Sequence, residues 1–134
     1  MSWSGVKKQS IKVDMEAWCE EMGIQNYTIN SKGEIDVDGN VWLNDKKFKE
    51  LPYKFGKVNN TFSLSGCKNL TSLKNCPDKV GGYFSCSFCF QLDSLKGCPE
   101  EVGGYFNCSK CRRKFTEEEV KFLCRVKDYI YNHF

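Results

Sequence analysis

The apolar positions of this chain fall into three regimes. From Val41 to Cys111 they recur at a fixed interval: Phe62, Phe84 and Phe106 stand 22 residues apart, as do Leu51, Leu73 and Leu95, and Val58, Val80 and Val102. A period of about 20–30 residues marks a stacked solenoid, in which each unit buries its apolar side against its neighbours. Before the repeat, residues 1–10 read as a polar lead-in, and Met15, Trp18, Cys19 and Met22 have the spacing of one helical face. Asp14 is placed to cap that helix and Gly23 to stop it. Tyr27-Thr-Ile29 and Ile35-Asp-Val37 then alternate apolar and polar residues around Asn30-Ser-Lys-Gly33, a hairpin pattern. After the repeat, Thr116 and Glu119 form a capping-box pair. Val120, Leu123, Cys124, Lys127, Ile130 and Tyr131 follow as a helical stripe running to Asn132.

These patterns predict an α+β repeat fold: a short β-solenoid of about three to four turns in a single domain. Residues 11–40 form an N-terminal helix/hairpin cap, residues 41–115 the solenoid, and residues 116–134 a C-terminal cap helix. The caps are expected because the end strands of a solenoid otherwise present unpaired edges. Each unit reads as a short strand, a turn, an L-x-x-L stretch and a return loop, with Val41 and Leu43 opening a first unit one residue shorter than the rest. Gly81-Gly82 and Gly103-Gly104 precede their strands, and Asn59-Asn60 holds the matching place. Glycine and asparagine tolerate left-handed backbone angles, so a common left-handed turn is expected there.

The segment Phe84-x-Cys86-x-x-Cys89, with Leu92 and Leu95 beyond it, resembles the core of a leucine-rich repeat. More closely, CP-x-x-VGGYF-x-C and L-x-S-LK-x-CP resemble the short repeat proteins of tailed phages and some bacteria, over roughly residues 11–131. Cys67, Cys89 and Cys111 stand where that pattern usually has asparagine, and the turn after them carries one extra residue. The resemblance implies a leucine-rich-repeat-like solenoid of phage origin that binds a host or phage protein. It also implies an inhibitor of a host enzyme or defence component, working in the host cytoplasm.

Composition narrows the classes. With 20 basic and 17 acidic residues the net charge is +3, too balanced to point to nucleic acid by itself. The opening MSWSGVKKQS has no apolar run behind its lysines, so no signal peptide is expected, and no stretch has the length of a membrane span. Nine cysteines without a secretion signal read as reduced thiols in a cytoplasm.

Four cysteines invite a metal. Cys86, Cys89, Cys108 and Cys111 have the spacing C-x2-C-x18-C-x2-C, inside the zinc-ribbon range. Any motif containing C-x-x-C duplicates at the repeat period, however, and Leu64 occupies the place of Cys86 one unit earlier. Buried thiols are the preferred reading, with no cofactor; a zinc-stabilised nucleic-acid-binding module is the alternative. Catalytic residues are not expected. The one histidine, His133, falls at the end of the expected cap helix, where a cation suits the helix dipole. Glu100-Glu101 and Glu117 to Glu119 take loop and capping places, and no glycine motif opens a helix to cradle phosphate.

Two features suggest a partner surface. If Phe84 and Cys86 face inward, strand alternation turns Tyr83, Ser85 and Ser87 outward. The matching outward residues include Trp42, Thr61, Ser63 and Ser65, then Tyr105, Asn107 and Ser109. Large aromatics among small polar residues make good contact surface, so Trp42, Tyr83 and Tyr105 are the expected partner-binding residues. Phe88 and Phe90 lie in the following turn, either as an exposed anchor or as filling for the extra residue. The run Lys110-Cys-Arg112-Arg113-Lys114, with Lys46-Lys47 in the matching turn, places positive charge along one rim. That rim suits an acidic protein or nucleic-acid phosphates; its preferred reading is a solvated face balanced by Glu117 to Glu119.

Overall fold

The computed structural model describes the backbone of residues 3–134 and the side chains of residues 9–134. Its elements run α1 (Trp3–Glu21), β1 (Tyr27–Ile29), β2 (Ile35–Val37), β3 (Val41–Trp42), β4 (Phe55–Val58), β5 (Phe62–Ser63) and β6 (Lys79–Val80). They continue with β7 (Phe84–Ser85), β8 (Glu101–Val102), β9 (Phe106–Asn107), α2 (Glu117–Leu123), β10 (Arg125–Val126) and β11 (Ile130–Tyr131). The strands form two sheets, ordered β1-β2-β4-β6-β8-β10 and β11-β9-β7-β5-β3. All pairings are parallel except β1 with β2. The chain is thus a β-solenoid of about four turns with two helices, one strand of each sheet contributed per turn. No described helix is long and apolar enough to cross a membrane.

Every turn directs the same columns inward. Phe62, Phe84 and Phe106 are fully buried, with ring centroids 6.1 Å and 5.1 Å apart down the stack. Leu64, Cys86 and Cys108 fill the next inward place, and Val58, Val80 and Val102 the inward place of the first sheet. Between strands the L-x-x-L stretch advances by tight turns, Leu70 N–H donating to Cys67 C=O at 3.1 Å and Cys76 N–H to Leu73 C=O at 3.1 Å.

The N-terminal hairpin forms as the alternation predicts, with Tyr27 opposite Val37 and Ile29 opposite Ile35. Asn30 Oδ1 closes its turn by accepting from the N–H groups of Lys32 and Glu34 at 2.9 and 3.1 Å. Met15 and Cys19 are buried on the first turns while Trp18 packs edge-on against Phe55 at 5.9 Å. Gly23, at φ 73, ends α1 in the left-handed conformation.

Four expectations are corrected. The described part of residues 1–10 is not a lead-in: α1 already runs from Trp3, so Asp14 lies inside the helix instead of capping it, while residues 1–2 lie outside the described residues. The C-terminal helix does not run to Asn132. α2 stops at Leu123 behind its capping box, and β10 and β11 then add a further turn to both sheets. Val126 pairs with Val102, and Ile130 with Phe106, at a spacing of 24 instead of 22. Each repeat carries two strands, not one, because Val58, Val80 and Val102 sit in a sheet of their own. Finally, the Gly-Gly corners are not left-handed: positive φ is absent at Gly81, Gly82, Gly103 and Gly104. Glycine is required there by crowding, since a Cβ on Gly82 would lie 2.8 Å from the backbone carbon of Asn60.

Candidate functional site: the outer face of the second sheet

The second sheet joins turns by regular rungs. Phe62, Leu64 and Gly66 N–H donate to the carbonyls of Tyr83, Ser85 and Ser87 at 3.0, 2.8 and 2.9 Å, and Phe84, Cys86 and Phe88 repeat this onto Tyr105, Asn107 and Ser109. Parallel pairing at this register stacks like positions into columns, and the outward columns build the candidate site.

At the start of the strands the aromatics form a continuous row. Trp42 and Tyr83 have centroids 6.2 Å apart, Tyr83 and Tyr105 stack at 4.4 Å with rings 8° from parallel, and Tyr105 meets Tyr131 edge-on at 5.1 Å. Tyr129 extends the row at 4.9 Å from Tyr131. Trp42 is half exposed, while Tyr83 and Tyr105 are partly covered by one another. The Tyr105 hydroxyl is raised above its ordinary range, by burial first and then by the neighbouring Tyr83. The sequence reading missed Tyr129 and Tyr131 by assigning them to a helix. Their alternation around Ile130 was the available signal, hidden by the two extra residues of the last turn.

Between this row and the turn lies a floor of hydroxyls. Ser63 Oγ donates to Asn44 Oδ1 at 2.6 Å, Ser65 and Ser85 are 2.7 Å apart, and Ser65 and Ser87 are 2.9 Å apart. His133 N–H donates to Ser109 Oγ at 3.1 Å. Sequence alternation places these serines outward, and so they are, yet they are not free surface: Ser63, Ser85, Ser87 and Ser109 are 3–8% exposed. Their hydrogen-bonding capacity is largely engaged by one another, so the floor is rigid and smooth. His133 belongs to this column at the end of the β11 strand segment, not to a helix terminus.

On the far side stands the turn. Asp45, Gly66, Phe88 and Lys110 occupy one column and all have left-handed backbones, with φ of 61, 76, 58 and 59. Phe88 and Phe90 are each half exposed and pack edge to face at 6.3 Å. Of the two readings the sequence left open, this is the exposed one. Of the basic run, Lys110 reaches the Phe134 carbonyl at 2.8 Å and Arg112 is exposed. Arg113 is held in place: it donates two bonds to Glu119, at 3.0 and 2.7 Å, and its guanidinium lies 4.5 Å above the Phe115 ring. That pairing, with the Thr116 backbone, holds Glu119 down to about 2.

The thiols face the core. Cys67, Cys89 and Cys111 donate to carbonyls of the preceding turn, Leu43, Leu64 and Cys86, at 3.1, 3.2 and 3.1 Å. They thus tie each turn to the one before it. Burial pushes Cys89 and Cys108 up to about 12, and Cys86 is raised well above its ordinary range, first by its hydrogen bond with Cys111 and then by burial. Cys111 moves down, because a charge in that pair would rest on it, stabilised by Cys86 and by the Cys89 backbone. Among the described residues no three cysteine, histidine or acidic side chains come together to hold a metal. All nine cysteines are free.

A larger hollow, about 770 Å³, lies on the return-loop side. Of its lysines, Lys54, Lys74 and Lys96, the first is engaged with Asp78 at 2.9 Å and the Cys76 carbonyl at 2.8 Å. Comparison of the chain with protein-family models, curated proteins and solved structures finds no match.

Proposed function

We propose that the chain is a non-catalytic protein-binding module whose contact surface is the outer face of the second sheet. The observation that carries this reading is the unbroken aromatic row from Trp42 through Tyr83 and Tyr105 to Tyr131. Stacked tyrosines present a large area in few rotamers, so little side-chain entropy is lost on contact. The pre-bonded serine floor beside them adds shape without a further desolvation cost. The regular bonds from Cys67, Cys89 and Cys111 to the preceding turn, at the positions where the resembled pattern has asparagine, support a leucine-rich-repeat-like solenoid. The resemblance to phage repeat proteins gives the partner as a host or phage protein in the cytoplasm, and the action as occupation of a host enzyme or defence component. The non-catalytic part of this reading is supported by the burial of Cys89 and Cys108 in the core, which pushes both thiols up to about 12.

The test is capture from host lysate with the triple variant Trp42→Ala, Tyr83→Ala and Tyr105→Ala, identification of captured proteins by mass spectrometry, and circular dichroism to confirm the fold. A specific protein should be retained by the wild type and by Arg125→Ala, on the first sheet, and released by the triple variant. Equal retention by the triple variant would show that the face is not used.

A further inference from the structure

Phe88 combines two features that folding alone does not favour. Its backbone is left-handed, at φ 58, where a bulky side chain is an outlier. Its ring is also half exposed. The position does not demand phenylalanine: Gly66 fills it one turn earlier with φ 76. Backbone conformations of this kind concentrate at ligand clamps, where function retains what stability would discard.

The Asp45 carboxylate takes the place that a Gly66 side chain would fill. Beside it the column opens into a notch, bounded by Asp45 and Gly66 on one side and by Phe88 on the other. The resulting groove measures about 470 Å³ and is lined also by Asn44, Ser65, Lys68 and Phe90. The edge-to-face Phe88–Phe90 pair, at 88° between rings, makes a socket wall instead of the flat platform on which bases stack. Lys68 lines the groove and Arg112 follows Phe90 by one repeat of 22 residues; neither forms an ion pair among the described residues. Asp45 is the single carboxylate lining the notch. An apolar socket rimmed by free cations is complementary to an apolar residue flanked by acids.

We propose that the notch over Gly66, walled by Phe88 and Phe90, is the anchoring pocket for an acidic segment of a protein partner. One large apolar side chain enters the notch, and its flanking carboxylates lie on Lys68 and Arg112, away from Asp45. This assignment rests on the protein-binding reading of the same face and names the partner chemistry.

Fluorescence anisotropy of the full chain with labelled peptides tests it, using alternating glutamate and leucine, alternating lysine and leucine, and an oligothymidylate. The glutamate–leucine peptide should bind at least about tenfold more tightly than the lysine–leucine peptide and weaken with salt. Phe88→Gly should weaken it by about tenfold or more while leaving the Tm within about 4–8 °C of wild type, since Gly66 shows that glycine suits the position. Lys68→Glu, an exposed substitution, should weaken it as well. The pocket is wrong if both peptides bind alike or not at all, if oligothymidylate binds more tightly, or if Phe88→Gly and Lys68→Glu change nothing. In that last case, loss of binding in the Trp42/Tyr83/Tyr105 triple variant would leave the broader face standing; binding unchanged there too would remove both.

Discussion

A Cβ on Gly82 would sit 2.8 Å from the carbonyl carbon and 2.9 Å from the oxygen of Asn60, in the turn beneath it. The obstruction is backbone, which cannot swing aside as a side chain does. Gly82→Ala should therefore cost about 1–3 kcal/mol, the usual range for overpacking, and urea denaturation will read it as a lower midpoint. An unchanged midpoint would mean that the turns separate freely. The thiols make a second residue-level prediction. Burial pushes Cys89, Cys98, Cys108 and Cys124 from an ordinary 9.0 up to about 12, and Cys19 to about 11. In the unfolded chain they ionise near 9.0, so above that pH the unfolded state binds fewer protons than the fold and gains stability relative to it. The contribution is complete below about pH 9 and is lost as pH rises toward 12. Cys111 runs in the opposite direction, but it is outnumbered. Thermal melts should give a clearly lower Tm at about pH 10.5 than at neutral pH; identical melts would show that the thiols are not held protonated by the fold.

At the scale of elements, the last turn carries the main lesson. α2 is short, seven residues, and isolated helices of that length are marginal. Its capping box is complete, with Glu119 N–H donating to Thr116 Oγ1 at 3.1 Å and Thr116 N–H to Glu119 Oε1 at 3.1 Å. Thr116→Ala should cost about 1 kcal/mol, the typical value for a lost cap, measured by chemical denaturation; no cost would mean that packing of Val120 alone holds the helix. Cys124 and Ile130, beyond α2, continue the apolar spacing of a helical stripe from Val120, yet both are buried in the observed fold, where the chain has left the helix and Ile130 lies in β11. What selects strands is the open edge of the turn before. Arg125 N–H donates to the Glu100 carbonyl at 2.9 Å, Phe106 N–H to Tyr129 at 2.9 Å and Cys108 N–H to Tyr131 at 2.8 Å. A continued helix would leave those β8 and β9 edge groups without these partners. Thr116 to Glu119 was legible as a helix start because capping is local. The helix end was not, because its competitor lies in another turn.

For the whole molecule, stability is a sum of turns and of the contacts between neighbouring turns. Phe84 stands in the middle of the stack, fully buried, with Phe62 above and Phe106 below. Phe84→Ala should cost about 3–5 kcal/mol, because both interfaces lose packing, and unfolding followed by circular dichroism and by fluorescence should remain a single transition. A cost near that of a surface substitution would contradict the stacking of the three rings. The sequence by itself determined the period and the inward columns. Phe62, Phe84 and Phe106, Val58, Val80 and Val102, and the thiols Cys67, Cys89 and Cys111 each repeat a role at 22 residues, so burial of one copy predicts burial of all. It also placed Trp42, Tyr83 and Tyr105 outward, since strand alternation is local. Only the tertiary structure decided what those outward residues do to each other: that the aromatics join in a row, that the serines between them are covered and bonded, and that Phe88 stands in the open on a left-handed backbone. Such contacts form between residues one or two repeats apart in the chain, and their distances depend on how one turn sits on the next.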